Sequence, residues 1–169
     1  HVIRLGAGAK LTLLETATGG GAQYLHNPVF EIDLAEGAVL THGRAQGEGD
    51  AAFHLSMIHA RIAAEARYDT MAVSAGARLT RMEIHAALTG PKASCHMNTA
   101  QLAAGRALVD TTTALDHAAP DCASRQTCKT VLAGQSRGVF QGKILVRREA
   151  QKTDGYQMNQ ALLLSEDAE

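Results

Sequence analysis

Apolar and polar side chains alternate along most of this 169-residue chain, and that period of two is what a half-buried β-strand requires. In Leu79–Leu88, Thr80, Met82, Ile84, Ala86 and Leu88 share one face, and Arg81, Glu83 and His85 share the other. Phe30, Ile32 and Leu34 alternate with Glu31 and Asp33, and Phe140, Gly142, Ile144 and Val146 alternate with Gln141, Lys143 and Arg147. The prolines, Pro28, Pro91 and Pro120, fall between such runs, where they interrupt no ladder. One stretch resists. In Ile58–Val73, Ile58, Ile62, Ala66 and Asp69-Thr70 lie at nearly helical spacing, which propensity alone reads as helix. Phe53, Leu55 and Met57 just before it alternate as a strand, and a helix here would interrupt a stack of repeats, so the whole stretch is read as strand.

The strands repeat. Gly8-Ala-Lys-Leu-Thr12, Gly37-Ala-Val-Leu-Thr41 and Gly76-Ala-Arg-Leu-Thr80 share one form, with a weaker copy at Gly105-Arg-Ala-Leu-Val109. The intervals between their glycines are 37 − 8 = 29, 76 − 37 = 39 and 105 − 76 = 29. Each copy places a turn glycine before a strand, the signature of a solenoid with insertions. Rungs of roughly 20–25 residues would give about seven or eight turns, with backbones stacked about 4.8 Å apart. Trp is absent and aromatics are 4%, so Leu, Ile, Val, Met and Ala must fill the interior.

Composition narrows the class of partner. One domain is the default at this length, and it can bury a core without metal or disulfide staples. With 16 basic and 17 acidic residues the net charge is -1, and there is no basic stripe for nucleic acid or an anionic membrane. No apolar run approaches the roughly 20 residues of a membrane span, and no signal-peptide pattern is present. Three irregularly spaced cysteines, Cys95, Cys122 and Cys128, argue against a secreted disulfide framework and for a reducing cytoplasm. The chain opens on His1 and runs straight into a strand-like Val-Ile-Arg-Leu, as expected of part of a longer protein.

The chemical motifs are weak. Gly134-Gln-Ser136-Arg-Gly138 fits a nucleophile elbow, but a strand-like run follows where a helix is needed, and the last histidine, His117, lies upstream. A turn between strands is expected instead. Gly138-Val-Phe-Gln-Gly142-Lys143 has the wrong glycine spacing for a phosphate loop and no Ser or Thr after Lys143, which excludes ATP binding there. Cys122, Cys128 and His117 are weak candidates for a metal. The cysteines are too far apart in sequence for a zinc knuckle, and only stacking of rungs could bring them together. As small buried hydrophobes they need no ligand role. Asp116 and His117 are adjacent and point to opposite faces of a strand. His54, His59 and His85 are expected in surface or hydrogen-bonded structural roles. Lys143, Arg147, Arg148, Glu149 and Lys152 form a charged patch, either a solvated face or the rim of a protein interface.

The last third carries a family likeness. It holds Asp110-Thr-Thr-Thr-Ala-Leu-Asp-His117, Pro120-Asp-Cys-Ala-Ser-Arg-Gln126, Gly138–Val146, Ala150-Gln-Lys-Thr-Asp154, Asn159 and Leu162-Leu-Leu-Ser165. Together these segments resemble the SufB/SufD family of iron–sulfur cluster assembly scaffolds, and its SufD branch most. The resemblance implies an all-β, right-handed parallel β-helix, truncated at both ends, with residues 1–169 as the core domain of a longer SufD-like protein. It further implies a non-catalytic scaffold that pairs with a SufB-type paralogue, or with itself, and with the ABC-type ATPase SufC. Iron and sulfur would be assembled at the level of that complex. The family's Cys-x-His element and its helical segments lie outside residues 1–169, so the likeness gives Cys122, Cys128 and His117 no role, and no cluster is expected on this chain. A strand edge left open at Glu169 should pair with other chains. The competing reading is a β-solenoid that binds or cleaves carbohydrate, disfavoured by the dispersal of Tyr24, Tyr68 and Tyr156.

Overall fold

The computed structural model describes all 169 residues, and its regular structure is strand alone. In chain order the strands are β1 (Val2–Leu5), β2 (Lys10–Gly19), β3 (Leu25–His26), β4 (Val29–Leu34), β5 (Val39–Glu48), β6 (Phe53–Ile62) and β7 (Arg67–Ala75). Then come β8 (Leu79–Leu88), β9 (Ser94–Ala103), β10 (Leu108–His117), β11 (Ala123–Leu132), β12 (Arg137–Val146) and β13 (Asp154–Leu163). One sheet runs β1-β4-β6-β8-β10-β12, with the short β3 also on β6. The other runs β13-β11-β9-β7-β5-β2, and every pairing in both is parallel. The chain therefore alternates between two sheets, one strand in each per turn, and makes a β-solenoid of about six turns.

The rungs are longer than the sequence suggested. Phe53 pairs with Leu79 and Ala123 with Asp154, so the interval from rung to rung runs from 79 − 53 = 26 to 154 − 123 = 31. Most strands are long, each covering a span such as Leu79–Leu88, which is why six turns use the chain that shorter strands would have divided into seven or eight. The glycine echo merges two corners. Gly8 and Gly37 sit where the first sheet passes to the second, whereas Gly76 and Gly105 sit where the second returns to the first. The odd interval of 39 is one full rung, Gly37 to Glu65 (65 − 37 = 28), plus one further strand.

The first corner is a ladder in its own right. Gly8, Gly37, Glu65, Lys92, Asp121 and Lys152 all hold φ between 56° and 66°, the left-handed region. Each of the first five donates its N–H to a carbonyl of the next rung's corner, as in Gly37 to Ala64 at 2.9 Å and Glu65 to Pro91 at 2.9 Å. Pro91 and Pro120 thus serve as acceptors, the one backbone role open to them. The following residue turns inward and must be small: Ala38, Ala66 and Ala93 are fully buried. This explains the stretch that looked helical. β6 ends at Ile62, a corner spans Ala63 to Ala66, and β7 begins at Arg67. Ile58, Ile62 and Ala66 all face the interior, two from the strand and one from the turn. Phe53, Leu55 and Met57 alternate as expected but form the outer side of β6, with His54, Ser56 and Ile58 inside.

The interior is divided. Near the first corner, ladders such as Ile3–Ile32–Ala60–Ala86–Leu115–Ile144 run the length of the solenoid. Full burial of a Leu or Ile contributes about 1.5–3 kcal/mol, and Leu34, Ile58, Ile62 and Leu88 are fully enclosed. Near the second corner the ladder Gln46–Ser74–Gln101–Thr130 is polar. Outside, opposite charges one rung apart face each other, as Asp33 with Arg61 at 3.0 Å and Asp110 with Arg81 at 3.2 Å. The sequence placed Gly134–Gly138 in a turn, and it is one: Ser136 is buried and its Oγ donates to Ala103 O at 3.1 Å. Gly138–Lys143 lies inside β12.

The corners and the open end each make a testable demand. Gly37→Ala meets no nearby atom closer than 3.9 Å and suffers only the left-handed backbone, a cost of about 1–2 kcal/mol. Gly90→Ala drives its β-carbon into the Ala64 backbone, so in urea unfolding its midpoint should fall further than that of Gly37→Ala. β12 and β13 each have one neighbour and expose Leu145, Val146, Tyr156, Leu162 and Leu163. A polypeptide of residues 1–169 should therefore self-associate in light scattering, and charged substitution at Leu162 should reduce it. A clean monomer at all concentrations would contradict this.

Candidate functional site

The sequence candidates lie at separate interior positions. Cys122 follows Asp121 at the first corner, where earlier rungs carry Ala38, Ala66 and Ala93, and its Sγ donates to Gly90 O at 3.4 Å. Cys128 is inside β11, its Sγ 3.6 Å from Gln101 Oε1. His117 ends β10 with Nε2 2.9 Å from Ser124 Oγ, and its Nδ1 is buried without a partner. The structure does not gather these three into one ligand set. All three cysteines are free and buried, and burial pushes the thiols of Cys95 and Cys122 upward, away from the thiolate a metal needs. Burial lowers the His117 pKa, although Asp116 opposes it. Asp116 itself points outward and binds Arg147 at 2.6 Å, as strand alternation requires.

A different group converges. His26 at the end of β3 and His54 in β6 are paired residues of adjacent rungs, both turned toward the interior. Glu48, the last residue of β5, reaches them from the other sheet across the second corner. His54 Nδ1 donates to Glu48 Oε2 at 2.6 Å, and His26 Nδ1 lies 3.3 Å from Glu48 Oε1. The two imidazoles meet edge to face at 4.9 Å. Glu48 and His54 are almost fully enclosed, while the His26 side chain is 40% exposed. Burial lowers the His54 pKa, and the Glu48 carboxylate only partly offsets it.

The support is built from the polar ladder. Gln46 Nε2 donates to Glu48 Oε2 at 3.2 Å, and Gln46 Oε1 accepts from Ser74 Oγ and from Thr80 Oγ1. Tyr24 stands beside Glu48, its Oη buried without a hydrogen-bond partner; burial, then the Glu48 charge, raises its pKa. Gly19 makes room, since a β-carbon there would collide with Tyr24 Oη. His59, five positions after His54 (59 − 54 = 5), faces outward instead and stacks on His85 at 5.1 Å. The informative partner was His26, one rung away (54 − 26 = 28), a spacing that the shorter rung expected from the sequence concealed.

Farther back along β5, Arg44 and His42 form a second group with Glu15 of the preceding rung. Arg44 Nε donates to Glu15 Oε2 at 2.7 Å, and His42 Nε2 lies 3.4 Å from the same oxygen. Burial alone would raise the Glu15 carboxyl, but its bonds to His42 and Arg44 outweigh that and hold it at about 2. Between this group and His54 the interior keeps a cavity of about 30 Å³, lined also by Gln46, Ser74 and Thr80. Of the tyrosines, Tyr68 is fully buried and only Tyr156 is well exposed, so no aromatic platform for a sugar exists on the outer faces.

Over residues 1–169 the chain matches the family described as SUF system FeS cluster assembly, SufBD core domain. It is 32% identical over 162 residues to Protein ABCI7, chloroplastic, of Arabidopsis thaliana, covering 93% of this chain and 34% of that protein. It is 33% identical over 147 residues to an iron-sulfur cluster assembly SufBD family protein of Synechocystis, covering 86% and 32%. It is 29% identical over 170 residues to the iron-sulfur cluster assembly protein SufD of Escherichia coli, covering 100% and 40%. The chain thus spans between about a third and two fifths of the length of these relatives.

Glu15 gives the interior an acid limit. Its folded-state pKa is about 2 against an ordinary 4.5, so its stabilisation is complete above pH 4.5 and is lost as the pH falls toward 2. Glu15→Gln should cost about 3 kcal/mol at neutral pH, because Arg44 is left buried without its anion, and should flatten the stability profile between those pH values. Urea unfolding at a series of pH values tests both effects.

Proposed function

Since the chain belongs to the SufBD family of the Suf iron–sulfur cluster assembly system, we propose that it is the β-helix core of a non-catalytic scaffold subunit. The observation that carries this reading is the family match running unbroken from residue 1 to residue 169, the same span that the solenoid occupies. The partners are an ABC-type ATPase of the SufC kind and a SufB-type paralogue, and the setting is cytoplasmic. The physical support is the rod itself. Successive rungs pair in parallel register, over ten residues each from β8 to β13, so the solenoid is stiff along its axis and can hold an assembly surface at one end in fixed relation to a motor elsewhere.

The cluster belongs to the complex and takes no thiolate from residues 1–169. A cysteine that ligates a cluster must be deprotonated and accessible, and Cys95, Cys122 and Cys128 are each enclosed in the interior. The test is a native, anaerobic pull-down of the full-length protein from its own cells, with partners identified by mass and iron measured. An ABC-type ATPase and a SufB-type paralogue should be recovered together. Recovery of the ATPase with only a second copy of this chain would replace the paralogue by a homodimer. Reproducible absence of both partners would overturn the scaffold role.

A further inference from the structure

We propose that His26, Glu48 and His54 bind a single divalent first-row transition-metal ion. Their ligand atoms lie within 4.8 Å of one another. Bonds from such an ion to imidazole nitrogen or carboxylate oxygen are about 2.0–2.2 Å, so movements of about an ångström would close the three around it. Two imidazoles and a carboxylate suit zinc, iron(II), cobalt(II) or manganese(II), and they lack the thiolates that a cluster or copper(I) prefers.

Three further features point to a cation here. The Glu48 side chain is 2% exposed, and no Lys or Arg forms an ion pair with it; its two ion-pair partners are His26 and His54. Burying a carboxylate without a fixed positive charge is costly, and a divalent ion would supply that charge. Gln46 holds Glu48 Oε2 and is itself held by Ser74 and Thr80, the outer arrangement that orients a metal-binding carboxylate. Tyr24 Oη, buried and unpartnered, stands at the same carboxylate and is free to donate to it or to a metal-bound water. Two imidazoles and one carboxylate make a three-ligand set, the number that protein side chains supply at zinc sites with a further position for water. The site does not depend on the scaffold role, and its failure would leave that role untouched.

The test uses the full-length protein, stripped of metal and kept anaerobic, titrated with cobalt(II) and followed by its visible d–d bands, with zinc(II) and iron(II) as competitors. The wild type should bind one equivalent that His26→Ala and Glu48→Gln lose, each weakening the affinity about 100-fold or more, and Gln46→Ala should weaken it about tenfold. Because Glu48→Gln disturbs a buried residue, the half-exposed His26→Ala, checked for folding by circular dichroism, carries the decision. His59→Ala with His85→Ala, on the outer face, should leave the bands unchanged. An absence of saturable bands overturns the proposal. So do bands that survive His26→Ala, or that vanish with the outer-face pair.

Discussion

Parallel pairing in strict register is the constraint from which the rest of this molecule follows. A strand in a solenoid has no hairpin partner, so its N–H and C=O groups are satisfied only if the next turn arrives in line with it. Once Lys10 is opposite Val39 and Phe53 opposite Leu79, each residue has a fixed neighbour one rung away, and a slip of a single position would exchange inside and outside along a whole strand. Corners must then match as closely as strands. Six successive turns adopt the left-handed conformation at the same place, even where the residue is Glu65, Lys92, Asp121 or Lys152. Their long or charged side chains sit outside the rod, and the surrounding ladder of inter-rung hydrogen bonds compensates for the strained backbone.

The same register sorts the interior. Mostly apolar ladders sit behind the tight first corner, where the residue after the turn is small, and polar ladders sit toward the second corner. Buried polar groups in such a strip need partners, and they find them along the stack: Ser74 and Thr80 on Gln46, Gln46 on Glu48, His54 on Glu48. A chain of this kind holds a carboxylate in one orientation with little freedom left, which is what a binding site asks of its scaffold. Glu15 shows the alternative within the same solenoid. There Arg44 supplies a permanent cation.

The motifs that suggested hydrolysis or nucleotide binding dissolve into structure. Ser136 fastens a corner to the rung before it, and Gly142 lies within β12. The three thiols are interior residues.

The sequence by itself determined the strands, the stacking and the family. Period-two patterning is a property of neighbouring residues, and it marked the inner faces of β4, β8 and β12 correctly. It could not fix the rung length, because turn glycines mark corners without saying which corner; Gly37 and Gly76 look alike in sequence and stand at opposite sides of the rod. Nor could it place Cys122, Cys128 and His117 relative to one another. Only the tertiary structure decided that His26 lies on His54 and that Glu48 meets both. That contact depends on a spacing of one full rung within one sheet and on an approach from the other sheet across a corner. Both are set by inter-rung hydrogen bonds, which leave no local trace in the order of residues.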